Sequence, residues 1–239
     1  MEWKIATTPI AYPDALAEMA ARVAEIQTGQ ADELVWLVEH PPLYTLGTSA
    51  KAGDVLGNII PSFETGRGGQ VTYHGPGQRV VYLMLDLKKR AAAKGTEPDL
   101  RAYVKQLEQW IILTLAEFGI ESFTREGRVG VWVSTNVESE RRVAEGEPLA
   151  AGVSEAKGTK SPLLVNSHEA KIAALGVRVQ KWVTSHGIAI NVHPDLSHYA
   201  GIIPCGIRAF GVTSMRQMGV DVGMDAVDAA LISQWKKIF

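Results

Sequence analysis

The chain has 239 residues, 46% of them hydrophobic, a formal net charge of -2 and a single cysteine. That length can bury a sizeable core in one domain spanning 1–239, and a pI near 6.3 excludes a global basic field for nucleic acid. One cysteine excludes a disulfide framework and a cysteine-rich zinc site, which favours a reducing, cytoplasmic setting. The amino terminus carries no positively charged segment leading into an apolar run, so no signal peptide is expected. No stretch approaches the roughly 18 apolar residues of a membrane span, so neither a membrane nor nucleic acid is an expected partner.

After a short opening strand, Pro13 and Asp14 start a helix with Leu16, Met19, Ala20, Val23 and Ile26 on one face and Gly29 as its stop. Glu33 to His40 is an apolar run of strand length, suited to burial on both sides and ended by Pro41-Pro42. Leu43 to Gly47 reads as a second short strand, followed by a loop to Pro61. A glycine-dense block, Arg67 to Gln78, then runs into a strand from Arg79 to Leu87. Asp99 opens a second helix with Leu100, Tyr103, Val104, Leu107, Ile111, Leu115 and Phe118 inward and Gly119 at its end. Ser122 to Arg125 and Val129 to Val133 form a hairpin turning at Gly127. From Val137 to Glu169 the composition becomes polar and aperiodic, the signature of an extended insertion. The runs from Lys171 to Trp182 and Val183 to Val192 read as an antiparallel pair. A helical turn from Asp195 to Ala200 leads to the cysteine, Val212 to Met218 is a short strand or turn, and Met224 to Phe239 is a closing helix.

Three places draw chemical interest. Arg67, Gly68, Gly69, Gln70, Val71, Thr72, Tyr73 and His74 combine glycines that let backbone approach a ligand with polar side chains that orient one. A plain glycine-rich hairpin stays open as the alternative, and the block matches neither the Walker nor the dinucleotide-binding pattern. Cys205 sits between Pro204 and Gly206, at a turn; it is either a buried small hydrophobe or a nucleophile, and a nucleophilic thiol needs help because it titrates near pH 8.5. Lys171, at the start of an apolar run, can supply that help if partly desolvated, and is otherwise an edge-strand lysine in water. The six histidines show no metal-site spacing.

Taken in order, Arg67 to Gln78, Lys171 to Gly176, His186-Gly-Ile-Ala-Ile-Asn191 and Pro204-Cys205-Gly206 resemble the octanoyltransferases of lipoate biosynthesis, over nearly the whole chain apart from the insertion. The 34-residue interval from Lys171 to Cys205 matches as well. The resemblance implies an α+β fold, a mixed β-sheet with flanking helices like the catalytic fold of biotin and lipoate protein ligases. It also implies transfer of octanoyl or lipoyl from acyl carrier protein to a lysine of a lipoyl domain of the 2-oxoacid dehydrogenases or of the glycine-cleavage H protein. By the same resemblance Cys205 is the acyl-thioester nucleophile and Lys171 lowers its pKa. Arg67 to His74, Ala174, Leu175, Gly176, Gly187, Ile188 and Ala189 line the acyl pocket, and His186 and Asn191 are orienting groups. No cofactor is implied beyond the phosphopantetheine that the carrier brings. An ATP-dependent ligase, an octanoyl amidotransferase and a non-catalytic acyl-binding module are the alternatives. Lys88, Lys89, Arg90, Arg178 and Lys181 form a candidate basic surface for acidic protein partners.

Overall fold

A computed structural model describes residues 1–57, 60–135, 169–202 and 211–239. In chain order the elements are β1 (Glu2–Ile5), α1 (Tyr12–Thr28), β2 (Leu34–Val38), β3 (Leu43–Leu46), β4 (Ser62–Glu64), β5 (Val71–His74), β6 (Gln78–Met84) and α2 (Leu87–Ala93). There follow α3 (Leu100–Ala116), β7 (Phe123–Arg125), β8 (Arg128–Ser134), β9 (Glu169–Gln180), β10 (Val183–Asn191), a 3-10 helix (Leu196–Gly201), β11 (Gly211–Val212) and α4 (Met224–Ile238). Cys205 and its neighbours Pro204 and Gly206 lie outside the described residues, as does the insertion from 137 to 168.

The apolar run at β2 is buried on both faces, and it pairs with β1 in parallel and with β6 antiparallel. The main sheet runs β1-β2-β6-β10-β9-β8-β7, with β11 joining β9 in parallel. Alternate residues feed two cores. Val35, Leu37, Val81, Leu83, Ile188 and Ile190 pack under α3 and α4 with Trp110 and Leu231, while Leu34, Trp36, Val38, Val80, Tyr82 and Ala189 pack under α1. A smaller sheet, β4-β3-β5, lies beside α1, where Phe63 meets Tyr12 with ring centroids 5.3 Å apart. This is the mixed sheet with flanking helices that the sequence led us to expect. No helix among the described residues is long and apolar enough to cross a membrane.

The differences from expectation have local causes. Helix α1 begins one residue early, with Pro13 in its first turn, so its buried stripe is Tyr12, Ala15, Met19, Val23 and Ile26, and Ala20 faces solvent. The strand expected to reach Leu87 stops at Met84, because Asp86 caps α2 by accepting from the Lys89 amide at 2.9 Å. Ser62–Glu64, just past the expected loop and given no element from the sequence, pairs with β3. Glu169 belongs to β9 rather than to the insertion, fixed by ion pairs with Arg125 and Arg128. Helix α4 is clamped to the sheet by the buried pair Arg79–Asp228, whose Nη2 donates to Oδ2 at 2.9 Å.

Candidate active site

Where β9 and β10 pair, Ala174 stands opposite Ala189 and Gly176 opposite Gly187; across β6 the same rows continue to Val80 and Tyr82. Small side chains in these rows leave a trough on the α1 side of the sheet. The glycine block roofs it. β9 outruns β8 here, and the Gly68 amide donates to the free Val177 carbonyl at 3.0 Å. A β-carbon on Gly176 would meet Gly68 O at 3.0 Å, and one on Gly47 would lie 2.2 Å from Gly69 O, so the close approach depends on glycine at both positions. The cavity, open to solvent on one side, measures about 290 Å³.

Of the residues singled out in the sequence, Arg67, Gly69, Gln70, Val71, Thr72, His74, Lys171, Ala174, Leu175, Gly176, His186, Gly187, Ile188, Ala189 and Asn191 all line this cavity. Gly68 and Tyr73 are not among its lining residues. Gly68 contributes backbone to the roof, and Tyr73 points to the other side of the small sheet, stacked on His198 at 4.9 Å. Sequence reasoning missed Tyr12, Val80, Tyr82, Trp132 and Tyr199, which also line it. Val80 and Tyr82 were legible in principle from strand alternation, since both fall on the face opposite to Val81 and Leu83.

Arg67 is buried under the roof and donates to the Thr45 carbonyl, to Thr45 Oγ1 and to the Gln70 carbonyl at 2.6–2.8 Å. A directed chain of hydrogen bonds leaves from there. Gln78 Nε2 donates to Tyr73 O and Asn191 Oδ1, so its Oε1 accepts from His74 Nδ1 at 2.6 Å. His74 Nε2 then accepts from the Thr45 hydroxyl at 3.2 Å. Asn191 Nδ2 donates to the Thr213 carbonyl, and the Thr213 amide to the Lys171 carbonyl at 3.0 Å. The roof is thereby tied to the strand that carries the lysine. Burial, with His40 and Arg67 nearby, lowers the His74 pKa to about 3; burial, then Arg67 and Arg178, lowers that of His186 to about 4. Both rings are neutral at physiological pH.

Lys171 is not on an edge. β9 lies between β10 and β8, and Val212 of β11 pairs with Lys171 itself. Its Nζ donates to Val129 O at 3.0 Å and lies 4.8 Å from the centroid of the Trp132 ring. Beside it the β8–β9 register shifts between Val131 and Trp132, and Gly130 adopts φ 127 with its amide donating to the buried Glu108 carboxylate at 3.1 Å. The ammonium thus sits half-buried at one end of the cavity. Tyr199, Gly211 and Val212, on either side of the segment that contains Cys205, line the same cavity.

The candidate basic surface is divided. Arg90 is held by Glu33 at 2.7 Å, and Arg178 lies against Gly66 beside the roof, whereas Lys181 adjoins the turn that meets α2.

A family model described as the lipoyl protein ligase A/B catalytic domain matches residues 11–236. An octanoyltransferase of Paracoccus denitrificans is 52% identical over 239 residues, covering 100% of this chain and 97% of its own. One of Rhodopseudomonas palustris strain BisA53 is 50% identical over 239 residues, covering 99% and 88%. Among solved structures, a lipoate-protein ligase A bound with ATP superposes with a TM-score of 0.66 at 14% identity, covering 100% of this chain and 85% of that one. The bipartite lipoate protein ligase of Thermoplasma acidophilum gives 0.61 at 15%, covering 100% and 84%. These structural likenesses establish the fold, and the sequence relatives establish the lineage. The chain belongs to the lipoyl protein ligase A/B catalytic-domain family and to its octanoyltransferase branch, and is an acyltransferase.

Proposed function

We propose that this enzyme transfers octanoyl from the phosphopantetheine thiol of acyl carrier protein, through a thioester on Cys205, to a lysine amine of a lipoyl domain or glycine-cleavage H protein. The observation that carries this reading is the position of Lys171 Nζ at the end of an apolar cavity whose lining includes residues on both sides of the Cys205 segment. A positive charge a few ångströms from a thiol favours the thiolate. The relatives named octanoyltransferase support the acyl group assigned.

In the first step the Cys205 thiolate attacks the donor carbonyl, and the pantetheine thiolate leaves and takes its proton from the Lys171 ammonium, which becomes the neutral amine. In the second the acceptor amine attacks the enzyme thioester. The amide forms, the cysteine thiolate is released, and the proton lost by the amine is taken up at Lys171 Nζ or by solvent. The donor is already an activated thioester, so neither ATP nor another cofactor is required. Octanoyl-carrier protein and a lipoyl domain incubated with the enzyme in the absence of nucleotide should yield octanoylated acceptor. Product formed only when ATP and free octanoate are supplied would replace this reading with that of a ligase.

A further inference from the structure

The end of the cavity away from Lys171 has an unusual construction. β10 is an interior strand, yet His186 within it has φ 60, a left-handed conformation adopted by only a few per cent of non-glycine residues. Strand pairing continues through it without a slip, since Ser185, His186 and Gly187 face Arg178, Val177 and Gly176 in sequence. Regular alternation would send this side chain to the α3 and α4 face with Ile188 and Ile190. The left-handed turn sends it instead to the α1 face, where Nε2 lies 3.4 Å from the Tyr12 hydroxyl and the ring meets Tyr82 edge-on at 6.1 Å. His186 and Tyr12 are 5% and 2% exposed. Tyr12 is itself backed by Phe63 and His40 at 5.3 and 5.5 Å. A buried polar pair thus closes a trough floored by alanine and glycine.

The strand sets a length scale for the trough. From Lys171 to Gly176, the residue before the His186 row, β9 advances about 16 Å at 3.3 Å per residue. Seven carbon–carbon bonds of an extended chain, each advancing about 1.25 Å, span about 9 Å. A chain that outruns the trough would have to part His186 from Tyr12 and leave both polar groups buried against methylenes.

We propose that His186 and Tyr12 form the end wall of the acyl channel and set the acyl length this enzyme accepts. This rests on the cavity being the acyl site of the proposed transfer. The test compares octanoate, decanoate and dodecanoate binding by calorimetry, and transfer from the corresponding acyl-carrier proteins, in the wild type, His186→Gly and Tyr12→Val. Wild-type affinity should fall about tenfold or more from octanoate to dodecanoate. In either variant that melts cooperatively, the decanoyl-to-octanoyl ratio of kcat/KM should rise by about tenfold. Wild-type binding that does not weaken with length overturns the proposal even if neither variant folds, as does an unchanged ratio in a folded variant. Length-selective binding by a wild type that transfers nothing would leave the wall standing and remove the proposed function instead.

Discussion

Gly130 ties backbone geometry to the placement of Lys171, and its replacement by alanine reads both. Its φ of 127 lies where non-glycine residues carry strain of about 1–3 kcal/mol. A β-carbon there would also stand 2.9 Å from Ala173 O, 3.1 Å from Lys171 Cε and 3.3 Å from Lys171 Nζ. The first of these is rigid backbone in the neighbouring strand, so the bulge must shift, and overpacking raises the total cost to about 3 kcal/mol. For a chain of this size that lowers Tm by about 6–12 °C. The lysine is displaced with the bulge, and misplacing a reacting group by about 1 Å can cost about 100-fold in rate. Gly119→Ala is the comparison: φ is 72 but the space is open, at the end of α3 and away from the cavity. It should lose only about 1 kcal/mol and keep its rate. Thermal melts and single-turnover acylation of Cys205 measure both. If Gly130→Ala turns over as fast as Gly119→Ala, the bulge does not position Lys171.

Other consequences follow from the buried polar groups. Histidines in the unfolded chain titrate near 6.5, whereas His186 and His74 stay neutral down to about 4 and about 3 in the fold. Stability is therefore complete above pH 6.5 and falls as the pH drops, by about 2 kcal/mol per histidine at pH 5. His186→Gln should flatten the decline of Tm between pH 7 and 5, and an unchanged slope contradicts the assignment. Gln78→Leu removes the partners of His74 Nδ1 and Asn191 Oδ1 and should destabilise by about 2–4 kcal/mol, measured by urea denaturation. Asp228→Ala leaves the Arg79 charge buried and should cost about 3–5 kcal/mol, most of which the double variant Arg79→Met/Asp228→Leu recovers.

Periodicity in the sequence carried the sheet order only in part. The doubly buried run at Leu34–Val38 was legible because burial on both faces leaves uninterrupted apolar residues, and the pair from Lys171 to Val192 was legible from its β-branched, alternating character. β4 was not, because a three-residue strand with two exposed positions has no pattern to detect. Helix α2 was hidden because Leu87 continues the apolar run of β6, and only the Asp86 cap marks the change. At the site, the glycine block, Lys171 and the small residues of β9 and β10 were named from their motifs and are brought to one cavity. Tyr12 was invisible because the helix was started at Pro13, which put the tyrosine outside the amphipathic stripe. His186 was named without its wall position, because strand alternation assigns it to the opposite face and only its backbone conformation reverses that. The Arg67-to-Lys171 relay joins residues more than 100 positions apart, such as Gln78 and Asn191, and no local spacing encodes it.

The central claim is a covalent intermediate on Cys205, and intact-mass analysis of the enzyme after mixing with octanoyl-carrier protein tests it most directly. We expect one octanoyl group added to the wild type, mapped by peptide sequencing to Cys205, lost on addition of a lipoyl domain, and absent from Cys205→Ser. Octanoylated lipoyl domain formed by Cys205→Ser at the wild-type rate, with no acyl-enzyme at any time, would contradict the account.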